Sequence, residues 1–144
     1  MTLDELDGLL PNGLHDAYLQ TVAINFTDRT VRLDLDIWVG DDEEREAYRR
    51  AQVTLSGVLF WVSEPPEPLS PFLSPGPLWI DAGPLTDKIP KKQPSLPPVP
   101  QGVFVNWIFV RDWNAFIYVA AEEASLTWLG DRTIRETAAP AQKS

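Results

Sequence analysis

The alternation of apolar and polar residues is clearest between Tyr18 and Val39. Val22, Ile24 and Phe26 alternate with polar or small residues, and Val31, Leu33, Leu35, Ile37 and Val39 alternate with Arg32, Asp34 and Asp36. A period of two predicts strands with one dry and one wet face. Asp28-Arg29 lies between the two runs, so they read as a hairpin. Folding there sets Phe26 against Val31, Ile24 against Leu33 and Val22 against Leu35. A slip of one residue would carry Asp34 and Asp36 into the core. Arg disfavours the positive φ of a tight primed turn, so a four-residue loop at Thr27–Thr30 is an equal alternative.

Before the hairpin, Thr2 and Glu5 have the spacing of a capping box, and Leu3, Leu6, Leu9 and Leu10 follow at helical spacing up to Pro11-Asn12-Gly13. This predicts a short helix over residues 3–10. After it, alternation from Tyr48 predicts a third strand to Ser63, antiparallel to the second, with Gly57 marking a bulge where the pattern changes. Residues 64–101 hold 12 of the 14 prolines, so they are read as a crossing segment packed partly on the sheet. Leu78–Ala82 is expected there as a short edge strand, and Lys88–Pro100 as the more exposed part.

Sheet returns at Val103–Arg111, Ala115–Ala121 and Ala124–Leu129. Asp112-Trp113-Asn114 suits a hairpin loop with Asn114 left-handed, which pairs Val110 with Phe116 and Ile108 with Tyr118. A turn at Glu122-Glu123 then pairs Val119 with Leu126 and Ile117 with Trp128. The expected fold is mainly β: an antiparallel meander of about six strands, forming a bent sheet, sandwich or incomplete barrel with one short N-terminal helix. Residues 1–130 form one domain and 131–144 a flexible tail.

Composition narrows the function classes. The 144 residues contain no Cys, which excludes thiolate metal sites and Cys nucleophiles and fits a reducing compartment. The first residues lack a basic, apolar leader pattern and no stretch has the length of a spanning helix, so a cytoplasmic protein away from membranes is expected. Net charge is −9, and residues 1–46 carry all of it, with 12 acids against 3 bases. That balance opposes nucleic acid and favours a basic protein partner.

Chemistry-bearing residues are few. His15, the only His, precedes Asp16; such a pair serves as a base with its orienter or as part of a metal site. No nucleophile completes a catalytic set, and one imidazole without several carboxylates holds a transition metal weakly. Asp34 and Asp36 share the wet strand face with Arg32 and Trp38. A large aromatic among charges there suggests a contact surface, to which Asp41 adds charge. No phosphate loop, zinc motif or serine elbow is present.

The segment LPNGLHDAYL, followed by a hairpin ending in WVGD, resembles the opening of small bacterial β-rich proteins with an LHDA or LHDS motif, some of them similar to immunity proteins. The resemblance covers residues 10–63 and implies interface or structural roles for His15 and Asp16. The leading expectation is therefore a non-enzymatic binding protein without metal or cofactor. It would present His15, Asp16, Asp34, Asp36, Trp38 and Asp41 to a basic partner, and a homodimer is compatible with it. One alternative is a carrier enclosing an apolar ligand among Trp61, Trp107, Phe109 and Trp128. Another is an enzyme using His15 and Asp16 with Asp34 and Asp36.

Overall fold

The computed structural model describes residues 1–42, 45–68, 75–85 and 95–135, with backbone alone at 41, 42, 45 and 131–135. Helix α1 (Leu3–Asp7) precedes eight strands. They are β1 (Ala17–Asn25), β2 (Thr30–Asp42), β3 (Arg45–Ser56), β4 (Phe60–Ser63), β5 (Leu78–Pro84), β6 (Phe104–Val110), β7 (Ala115–Ala121) and β8 (Glu123–Arg135). All eight lie in one open sheet, in the order β4-β7-β6-β5-β1-β2-β3-β8, and every neighbouring pair is antiparallel. Among the described residues no helix is long and apolar enough to cross a membrane.

Two more strands form than the main pattern predicts. The run from 48 to 63 divides at Gly57, whose φ of +64° breaks the ladder. Leu78–Pro84 is not an edge: it pairs with β1 on one side and β6 on the other. Its only proline, Pro84, stands at the strand end, where the missing donor costs least.

The connection between the halves explains how an open sheet encloses a core. Strands β4 to β7 come from one continuous stretch between β3 and β8. Yet Ser56, the last residue of β3, pairs with Glu123, the first of β8. The stretch thus leaves and returns at one neck, closed by Glu122 N donating to Ser56 O and Leu59 N to Ala120 O. Strands at opposite ends of the sheet are brought together there, so the sheet curls. Its inner face collects Val31, Leu33, Leu35, Ala51, Val53 and Leu55 from one half and Ile80, Ile108, Val110, Ile117 and Val119 from the other. Leu3 and Leu6 of α1 pack into the same core. The capping box forms as expected, with Glu5 N donating to Thr2 Oγ1 and Thr2 N to Glu5 Oε1. The helix stops at Asp7, and Leu9 is exposed.

Three registers differ from expectation. In the first hairpin Val22 faces Leu33 and Ile24 faces Val31, two residues away from the expected pairing. The turn is Phe26–Arg29; Asn25 accepts from Asp28 N, and Arg29 takes a φ of +54° while its carbonyl is held by Val58 N. Phe26 therefore projects into solvent, and Val22 and Ile24 are partly exposed because pairing with β5 ends at Leu19. In the second hairpin Asn114 is left-handed as expected, but Arg111–Trp113 forms a 3-10 turn and lengthens the loop. Pairing is thus Val110 with Ala115 and Ile108 with Ile117, which puts Trp107, Phe109, Phe116 and Tyr118 together on the outer face. Finally, β8 does not pair with β7. β4 and β6 occupy the two edges of β7, and β8 pairs with β3, setting Leu126 against Val53 and Trp128 against Ala51. β8 runs to Arg135, inside the stretch expected as tail; residues 136–144 lie outside the described residues, as do parts of the proline-rich segment.

Candidate metal centre

The outer face of the β1–β5 junction gathers the only compact set of metal-ligating side chains among the described residues: His15, Asp16 and Asp81. The ladder ends with Ala17 paired to Ile80, and Asp16, the turn residue before it, donates its N–H to Asp81 Oδ1 at 3.4 Å. A turn after α1 delivers His15 and Asp16 to this place. Asp7 Oδ1 accepts from Leu14 N at 2.7 Å, and Leu14 is buried, so the segment before β1 is anchored from inside. Asp16 has a φ of +61°, a left-handed conformation that Asp tolerates better than most residues.

Each ligating group offers one atom within 4.8 Å of the others. Asp81 Oδ1 contacts His15 Nδ1, and Asp16 Oδ2 lies 3.3 Å from His15 Nε2. The remaining oxygens are held elsewhere. Asp16 Oδ1 accepts from Trp79 Nε1 at 2.9 Å and lies 3.1 Å from Arg111 Nη2. Asp81 Oδ2 accepts from both Nε and Nη2 of Arg111. Arg111 in turn lies 4.1 Å over the Trp79 ring, and Trp79 N donates to Asp112 Oδ2 at 2.8 Å. Each carboxylate thus gives one oxygen to Arg111 or Trp79 and turns the other to the imidazole, that of Asp81 also accepting from Asp16 N. His15 is half exposed, with 54% of its side chain open, whereas Asp81 is 19% exposed. The inner wall is fixed and the outer side is open to solvent.

Asp34 and Asp36 do not join this set. Asp34 accepts from Thr21 Oγ1 and from Gln52 Nε2, and those hydrogen bonds hold its carboxyl below the usual range. Asp36 accepts from Gln20 Nε2 and pairs with Arg50, whose guanidinium is pushed further up by that bond. Trp38 is half-buried opposite Tyr48, and Asp41 lies in β2 with its side chain outside the described part. The four aromatics proposed for a ligand cavity are split between faces. Trp61 and Trp128 pack on the core, while Trp107 and Phe109 lie on the outer side.

The expectation of a chain that leans away from catalysis is corrected by the His15–Asp16–Asp81 cluster, which is able to coordinate a metal ion and so carries catalytic potential. Sequence reasoning found His15 and Asp16 and missed Asp81, Arg111 and Trp79. The available signal was the alternation of Trp79 and Asp81 around the buried Ile80, which put both on one face of a strand. What lacked a signal was the pairing of that strand with β1, some sixty residues earlier. No family model, curated protein or solved structure matches the chain, so the site is read from its geometry.

Proposed function

We propose that the chain is a metal-dependent enzyme whose centre is His15, Asp16 and Asp81. The partition of the carboxylate oxygens carries this reading. Ligating carboxylates are ordinarily held by outer hydrogen bonds that orient them, and here Arg111 and Trp79 hold one oxygen of each while the other faces the imidazole. One imidazole and two carboxylates suit zinc, manganese or ferrous iron better than calcium. Three protein ligands with an open outer side are the arrangement of catalytic rather than structural centres.

A divalent ion there would supply Lewis acidity and an activated water, so metal-assisted hydrolysis is the reaction class that fits. The chain's own part is to orient the two aspartates and hold a positive charge beside them. A cytoplasmic location goes with this reading, supported by the absence of cysteine.

Isothermal titration with Zn²⁺ and Mn²⁺, followed by a panel of chromogenic esters and phosphoesters, tests it. The expected result is saturable binding that Asp81→Asn strongly weakens and turnover that appears only with metal. Absence of binding at about 1 mM metal, a free energy near −4 kcal/mol, would overturn the reading.

A further inference from the structure

Arg111 stands in an unusual place. A single nitrogen, Nη2, contacts Asp16 Oδ1 at 3.1 Å and Asp81 Oδ2. The opposite oxygens of the same two carboxylates face His15. Were an ion held by His15 and those oxygens, each carboxylate would bridge two cations, the donor pattern of a two-metal centre, in which the ions lie roughly 3.5–4 Å apart. Here one of the two positions is filled from within the chain.

We infer that Arg111 is the built-in second cation of this centre, so that the protein binds a single divalent ion. The inference rests on the metal-centre reading and adds its stoichiometry. A guanidinium keeps its charge at every working pH, and this one is anchored at several points. Nε adds a second bond to Asp81 at 3.1 Å, and the Trp79 ring lies beneath it. A second metal ion would have to displace a cation already paired with both carboxylates and stacked on an indole. The charge count points the same way. Two carboxylates against one guanidinium leave one negative charge, so a first divalent ion would already turn the cluster positive and a second would meet net repulsion. The fixed guanidinium would then stand close to a bound ion and favour an anionic ligand on it.

Native mass spectrometry with Zn²⁺ and electron paramagnetic resonance with Mn²⁺ test this on the full chain. The wild type is expected to take one ion per chain and give the spectrum of isolated Mn²⁺. Arg111→Met, which keeps an aliphatic stem over Trp79, should take a second ion and show spin coupling between the two. Arg111→Lys, which restores a point charge, should return to one. A methionine variant that binds one ion with unchanged affinity would overturn the inference and leave the metal centre standing. Two ions on the wild type would do the same, and that count needs no variant to fold. A wild type that binds none removes the metal centre itself, and the inference with it.

Discussion

Two pairs of carboxylates occupy the outer face of this sheet, and they have opposite characters. Asp34 and Asp36 sit two apart on β2, where the rise of a strand keeps them about 7 Å from one another. Each is satisfied separately, Asp34 by a hydroxyl and an amide and Asp36 by an amide and Arg50. Asp16, the last turn residue before β1, lies beside Asp81 of β5, just past the ladder pair of Ala17 with Ile80. That placement lets one guanidinium touch both and one imidazole lie between them. Neighbours along a strand give a charged face; residues of a turn and a strand brought together give a candidate site.

The sharpest way to break this contrast is to neutralise one member of each pair. Asp81→Asn should weaken Zn²⁺ binding by roughly 100-fold or more by isothermal titration, since it removes a ligand rather than an outer partner. Asp36→Asn should leave it within about twofold, as expected of a surface change away from the ligands. Equal losses would show that both pairs serve one centre. A smaller effect concerns Arg50, whose exposed pair with Asp36 contributes at most about 1 kcal/mol. Arg50→Met should lower the denaturation midpoint slightly and leave metal binding alone. Smallest is the pH dependence of Asp34. Hydrogen bonds from Thr21 and Gln52 depress its carboxyl in the folded state. It therefore adds stability above its ordinary value of about 3.9 and loses it as pH falls through the depressed one. Thr21→Val should move the Asp34 carboxyl titration upward by NMR and weaken the acid side of the stability curve. An unchanged titration would show that Thr21 is not its main donor.

How much of this was legible in the chain follows the same divide. The strands β2, β3, β6 and β7 were readable because alternation is a local property, and so were the capping box and the left-handed Asn114. Registers were less so. A bulge between Leu19 and Thr21 shifts the phase of β1, so that Leu19 and Val22 share a face, and simple alternation cannot register that. His15 and Asp16 stood out by their rarity and adjacency. Asp81 and Arg111 could not be joined to them, because the pairing of Ala17–Leu19 with Leu78–Ile80 that brings them together has no periodic signature.

The neck at Ser56 and Glu123 has one more consequence. Strands β1, β2, β3 and β8 would read as a simple four-stranded meander if the chain passed directly from Ser56 to Glu123. The segment between them is a guest housed at a hairpin tip. His15 and Asp16 belong to the host, Asp81 and Arg111 to the guest, and the two parts are joined here by three ladder pairs of β1 and β5 over a shared apolar core. The proposed metal binding therefore depends on the docking of two parts of one chain, and would be lost if they parted.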